Sequence, residues 1–217
     1  MPELPEVETI KRDLEKVIIG KKITEVCVHN PKVIREPSVG RFKKSLSGAR
    51  INRVLRKGKV LILELSNAKS LTIHLKMTGQ LIYPGLKNNA PKVSFYLAGG
   101  GRLDFNDQRL FAELRLLDDW RNLKFIQGLG PEPKELTLEK FQDMLSGKKT
   151  QIKPLLMDQK FICGIGNLYA AEILFRAKID PQRKARSLSS KEKEQLFHSM
   201  QNVLDDAIKH GGSSMDD

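Results

Sequence analysis

The 217-residue chain carries 38 Lys and Arg against 26 Asp and Glu, a formal charge of +12. With 40% hydrophobic and 29% charged residues it can bury a real core, which excludes a disordered tail, a collagen-like repeat and a disulfide-stapled miniprotein. Residues 11–60 hold 15 Lys and Arg and only 4 Asp and Glu, which suggests a polyanionic partner (DNA, RNA or an acidic membrane surface) or else a solvated basic face.

Residues 5–19 predict a helix, with Pro5 in its first turn, Val7, Ile10, Leu14, Val17 and Ile18 on one face, and Gly20 as its stop. The period then shortens. Short β-rich runs follow at 23–28, 51–56, 60–65, 70–75, 92–97 and 101–105, punctuated by Lys57-Gly58, Pro84-Gly85 and Gly99-Gly100-Gly101. They predict a β-sandwich or barrel-like half. GLGPEPKE at 128–135 reads as a linker, and the pattern beyond it is helical: 137–146, a longer helix from Asn167, and a last one from about Ser189. Ser189 and Glu192 have capping-box spacing, Leu196, Met200, Val203, Leu204 and Ile208 form the apolar face, and Gly211-Gly212 ends the helix. The expected class is α+β: an N-terminal β-sandwich domain flanked by helices (1–127), a linker (128–134) and an all-α domain (135–217).

Two cysteines, Cys27 and Cys163, are too few for a disulfide framework and fit a reducing compartment. Neither lies in a C-x-x-C pair, so no zinc site is readable. No apolar run approaches the roughly 18 residues of a membrane span, and the acidic MPELPEVET start lacks the charge pattern of a signal segment, so a soluble, non-exported protein is expected.

Chemistry could reside at three places. Removal of Met1 would expose Pro2 as a secondary amine, whose α-amino pKa near 7.7–8.0 leaves much of it neutral and nucleophilic. Such an amine attacking a sugar C1′ gives an iminium, with Glu3 and Glu6 beside it for acid or orienting roles. Many proteins begin Met-Pro, and the motif alone is weak. Second, GIGN at 164–167 presents backbone N–H groups before a helix with Asn167 as its cap, an anion pocket suited to phosphate with Lys153 upstream, or an ordinary tight turn. Third, His74, Met77, Arg109 and Phe111 fall near strand ends or loops, where Met, Arg and Phe exposed together could form a wedge entering a duplex. Otherwise Met77 and Phe111 are core residues.

PELPEVET at 2–9, Lys59 before VLILEL, IHLKMTG at 73–79, GPEP at 130–133, IKPLLMDQ at 152–159 and GIGNLYAAE at 164–172 together resemble the bacterial formamidopyrimidine-DNA glycosylases of the Fpg/Nei family. The motifs occur in the family's order and cover essentially the whole chain. PELPEVET points to the Fpg branch, and GIGNLYAAE to its helix–two-turn–helix. The resemblance implies a β-sandwich domain joined to a helical domain across a basic cleft, with the block at 11–60 along one wall. It implies a bifunctional glycosylase and abasic-site (AP) lyase of base excision repair that removes 8-oxoguanine and formamidopyrimidines through a Schiff base and cuts the strand by β,δ-elimination. Pro2 would be the nucleophile, Glu3 the acid, Lys59 a phosphate ligand supporting catalysis, and Glu6 a residue shaping the site. His74, Lys153 and Asn167 would hold the DNA backbone, while Met77, Arg109 and Phe111 fill the gap and Arg109 pairs with the orphaned base. The expected partner is double-stranded DNA with damaged bases or abasic sites. No membrane partner is expected, and the protein would be a monomer in the bacterial cytoplasm, associated with the nucleoid.

Three departures accompany the resemblance. The sequence ends at Asp217, before the family's lesion-capping loop and C-terminal zinc finger, so no cofactor is expected in this chain although family members bind one zinc. The family's KHDH segment reads NNAPKVSFYL, and its Asp-x-Arg-[Arg/Lys]-Phe-Gly reads DQRLFAE at 107–113. The alternative is a non-catalytic or lyase-only damaged-DNA binder. A basic RNA-associated protein rests on charge alone.

Overall fold

In the computed structural model, residues 1–85 and 90–213 are described. Asn88 and Asn89 of NNAPKVSFYL lie outside them. The chain divides into two compact units, one of residues 1–2 and 7–123, the other of residues 3–6 and 124–217.

The first unit takes most of helix α1 (Leu4–Ile18) and nine strands: β1 (Ile23–Val28), β2 (Ile34–Glu36), β3 (Ile51–Lys57), β4 (Val60–Leu65), β5 (Ser70–His74), β6 (Gly79–Ile82), β7 (Val93–Leu97), β8 (Arg102–Asp107) and β9 (Glu113–Leu117). They form a four-stranded sheet ordered β1-β7-β8-β6 and a five-stranded sheet ordered β2-β9-β5-β4-β3. Side chains of both sheets share one core, including Val26, Phe95 and Phe105 from the first and Leu61, Leu63, Leu71 and Leu114 from the second. VLILEL is apolar at both parities for a reason: Leu61, Leu63 and Leu65 join that core, while Val60 and Ile62 are buried on the opposite face. Val7, Leu14 and Ile18 of α1 are buried as predicted, but Val17 is 38% exposed and stands off the packed stripe.

Four elements of this unit were absent from the sequence expectation. Helix α2 (Val39–Leu46) shows only Phe42 and Leu46 as buried apolar residues among glycine and cations. β2 is three residues long and β6 four. β9 alternates Leu114 and Leu116 inward, but the apolar Leu110-Phe111-Ala112 run before it blurs its start. Within the basic block, Lys11 pairs with Glu15 (2.8 Å), Lys16 with Asp13 (2.9 Å), and Arg12 and Arg56 both with Glu8 (2.9 and 3.0 Å). Helical spacing and the Arg56 position on β3 put these carboxylates within reach. Exposed cations remain at Lys32, Arg35 and, on α2, at Arg41, Lys43 and Lys44.

The second unit holds α3 (Lys124–Gln127), α4 (Leu138–Leu145), α5 (Ile152–Met157), α6 (Asn167–Arg176) and α7 (Ser190–Lys209) around a core of Phe141, Leu156, Ile165, Ile173, Leu196 and Met200 among others. The Ser189–Glu192 capping box forms in both directions, and Glu192 is further held by Arg183. Residues 128–135, expected as a linker, end in a short 3₁₀ helix (Pro133–Glu135) and are anchored. Gly130 N–H donates to the Gln159 carbonyl at 2.8 Å, Cys163 N–H to the Pro131 carbonyl at 3.1 Å, and Glu132 and Pro133 are buried. α5 was also unforeseen, because Pro154 falls within IKPLLM. In the first turn of a helix the missing N–H costs nothing, and the helix forms around it.

Candidate active site

In the second unit, the turn at 164–167 and the chain's third residue form a single construction. α6 begins at Asn167, with Gly166 as its cap residue and no side chain bonded from the cap. Its free N–H groups are satisfied from far away in sequence. The Glu3 carboxylate, 4% exposed, accepts from Gly166 N (2.6 Å), Leu168 N (3.0 Å) and Tyr169 N (3.4 Å). The N–H groups of the expected anion pocket are met here by the protein's own carboxylate. The positive end of a helix favours a negative group there. Asn167, expected as the cap, is instead the first helical residue, with its side chain exposed.

Both glycines are required by this arrangement. A Cβ at Gly166 would lie 2.4 Å from the Glu3 carboxylate. Gly164 has φ +97°, and a Cβ there would meet the Leu4 side chain at 2.6 Å. Leu4 N–H donates to the Gly164 carbonyl at 2.9 Å. Gln159 locks the turn: its Oε1 accepts from Gly164 N (2.9 Å), while its Nε2 donates to the Met157 and Ile165 carbonyls (2.8 and 2.7 Å). Sequence reasoning assigned Gln159 no role, although it closes the IKPLLMDQ motif.

Glu6 is the second acidic member. Its Oε2 accepts from Glu3 N (2.8 Å), and its Oε1 from Tyr169 Oη (2.6 Å), Ser213 N (2.9 Å) and Ser213 Oγ (3.3 Å). Burial pushes its pKa up, but the hydrogen bonds from Tyr169, Ser213 and Glu3 outweigh this and hold it below the usual glutamate value. Burial and the bond to Glu6 push the Tyr169 phenol upward, so it remains a donor. Tyr169 is a site residue the sequence reading missed. Lys153 lies on α5, half-buried, beside a groove of about 520 Å³ lined also by Pro154, Met157 and Pro181.

In the first unit, Pro2 is half-buried behind a Met1 that is 60% exposed. Lys59 is buried in the turn just before β4, after the left-handed Gly58. Val60 pairs with His74 across β4 and β5, so Lys59 and His74 occupy the same end of the sheet. His74 Nδ1 accepts from Lys76 N–H at 3.1 Å. Burial first, then the positive charges of Lys76, Lys59 and Arg115, lower the His74 pKa to about 4 against the opposing pull of Glu113. The imidazole is therefore neutral at physiological pH.

Met77, Arg109 and Phe111 do come together, and they are surface residues, not core. Met77 and Phe111 are 45% and 50% exposed. The Arg109 guanidinium lies 4.9 Å from the Phe111 ring centroid, and its Nη1 is 3.1 Å from Met77 Sδ. Among the described residues no group of three or more His, Cys, Asp or Glu is placed to hold a metal ion, and no helix is long and apolar enough to cross a membrane.

Residues 1–114 match the family model of the formamidopyrimidine-DNA glycosylase N-terminal domain, and residues 128–217 that of its H2TH domain. The formamidopyrimidine-DNA glycosylase of Pelotomaculum thermopropionicum is 41% identical over 224 residues, covering 100% of this chain and 81% of the relative. That of Moorella thermoacetica is 42% identical, covering 100% of this chain and 82% of its own length. Among solved structures, a Lactococcus lactis FPG mutant in complex with a Fapy-dG containing DNA superimposes with a TM-score of 0.92 at 34% identity, over 100% of this chain and 82% of that one. The Lactococcus lactis enzyme non-covalently bound to an AP site containing DNA gives 0.91 at 33% identity, over 99% of this chain and 83% of that one. The α+β expectation stands, with two sheets in the N-terminal half and helices in the C-terminal half. The chain belongs to the formamidopyrimidine-DNA glycosylase family.

Proposed function

We propose that this protein is a bifunctional DNA glycosylase and AP lyase acting as a monomer on duplex DNA that carries oxidised purines or abasic sites. The observation that carries the reading is the anchoring of Glu3 by three backbone N–H groups of the α6 turn, in the residue that directly follows Pro2. The reacting end of the chain is thereby a fixed structural element and not a frayed terminus.

Once Met1 is removed, the Pro2 nitrogen attacks C1′ of the damaged nucleoside. The glycosidic bond breaks, the base leaves with a proton, and the sugar opens to an iminium on Pro2 with Glu3 as the group assisting ring opening. The positively charged iminium acidifies the C2′ proton; its removal expels the 3′ phosphate, and a second elimination expels the 5′ phosphate. Hydrolysis then releases the sugar fragment and regenerates the amine. Lys59 and neutral His74 serve the phosphates next to the lesion, Lys153 and Asn167 those on the helical unit, and Glu6 orients Glu3 through its backbone N–H. Met77, Arg109 and Phe111 occupy the space left by the extruded nucleotide.

Borohydride trapping tests this. Met-processed protein should form a covalent adduct at Pro2 with 8-oxoguanine duplex and with abasic DNA, and Pro2→Gly should lose both. An adduct on abasic DNA alone marks a lyase, and binding without any adduct marks a non-catalytic damage binder.

A further inference from the structure

β6 and β8 pair antiparallel with Gly79 opposite Asp107, and this register sets Thr78 beside the Asp107 side chain. Asp107 is 1% exposed. Its Oδ1 accepts from the Thr78 hydroxyl and from Arg109 N (3.2 Å), and its Oδ2 from Ala112 N (2.8 Å). Arg109 N is also 3.2 Å from Thr78 Oγ1. The carboxylate therefore closes the loop from 107 to 112 on itself and ties it to the loop that carries Met77.

Between those bonds the backbone turns over. Leu110 adopts φ +58° and packs on the core, which leaves Arg109 and Phe111 on either side of it pointing outward. The second loop is just as constrained. Gly79 N–H donates to the Leu75 carbonyl at 3.0 Å, a Cβ at Gly79 would sit 2.5 Å from that oxygen, and Lys76 holds φ +54° while its ammonium reaches Glu113 at 3.4 Å. Three long side chains are thus in contact before any ligand arrives, suspended from one buried carboxylate.

We infer that Asp107 and Thr78 are positioning residues that preassemble Met77, Arg109 and Phe111 as a rigid wedge for the gap left in the duplex. The inference rests on the proposed function and deepens it. Ordering rotamer-rich side chains at the moment of binding is costly, and a wedge ordered in advance avoids that cost. A carboxylate suits the position because all three of its partners donate; an amide would turn an NH₂ toward either the Ala112 N–H or the Thr78–Arg109 donor pair.

The experiment compares wild type with Thr78→Val and Asp107→Asn on two substrates, an abasic duplex and the same abasic strand alone, where no stacked partner has to be displaced. We expect the ratio of duplex to single-strand trapping to fall about tenfold, as the loss of one or two preordered side chains implies. A 2-aminopurine placed opposite the abasic site should show a smaller fluorescence change on binding to either variant. Equal loss on both substrates, with an unchanged 2-aminopurine response, would make the pair merely structural. No loss on either would remove them from the function. Thr78→Val retains the buried carboxylate, so it reports even where Asp107→Asn folds poorly. The fluorescence arm needs no chemistry at Pro2, so it separates failure of this inference from failure of the proposed reaction.

Discussion

The Glu3 carboxylate lies 2.6 Å from the backbone nitrogen of Gly166, a residue 163 positions further along the chain. One carboxylate so placed caps a helix, fixes the segment that follows Pro2, the proposed nucleophile, and fills the pocket that a glycine-rich turn would otherwise offer to solvent. Its consequences can be measured at both ends of the contact.

Gly166→Ala should displace Glu3. The backbone of Gly166 lies in the extended region, so an alanine is not strained in itself, but its Cβ would overlap the carboxylate at 2.4 Å. Hydrogen bonds to a charged group are worth about 1.5–3 kcal/mol each, and part of this should be lost. Thermal unfolding should show a loss of about 2 kcal/mol, and adduct formation at Pro2 should slow by about tenfold or more. Wild-type values in both assays would show that Glu3 is not held by this turn.

Gly164→Ala should act mainly on stability. It combines a left-handed φ of +97° with a clash against Leu4 at 2.6 Å. Strain and overpacking of this kind cost about 1–3 kcal/mol each, so a loss of about 3 kcal/mol is expected in denaturant titration. A change below about 0.5 kcal/mol would mean that the turn relaxes freely.

Tyr169→Phe removes the phenol that donates to Glu6 at 2.6 Å. Because the folded pKa of Glu6 is lowered, its contribution is present above the unfolded value of 4.5 and fades as pH falls below it. The variant should therefore be less stable by about 1–2 kcal/mol at neutral pH, with the gap to wild type narrowing in acid. Chemical denaturation at neutral and acidic pH measures both arms, and a pH-independent gap would contradict the assignment.

His74 should make the protein acid-sensitive in a defined window. Its folded pKa of about 4 lies below its unfolded 6.5, so folding is opposed by protonation and stability falls as pH drops from 6.5 toward 4. The penalty should be on the order of 2 kcal/mol. In His74→Gln that part of the pH dependence should vanish, and unfolding free energy measured across the window decides the matter.

The sequence by itself determined the elements whose side-chain period was long and clean. The α1 stripe, the VLILEL strand and the Ser189–Glu192 box of α7 were legible because each is a local pattern, set by neighbours three or four residues apart or by an unbroken apolar run. Its motifs also named the family. It did not show α2, whose apolar face is two residues, or α5, a six-residue helix with Pro154 in its first turn. Above all it did not show where hydrogen bonds run between distant segments. That Glu3 caps α6, that Gln159 locks the turn before it, and that Asp107 suspends Arg109 and Phe111 around an inward Leu110 follow from chain segments meeting in space. Local propensity has no means of expressing such meetings, because a carboxylate accepts from whichever donors the fold brings to it. The charge block shows the same division: its composition was plain in the sequence, but only the fold decided that Arg56, 48 positions away, would share Glu8 with Arg12.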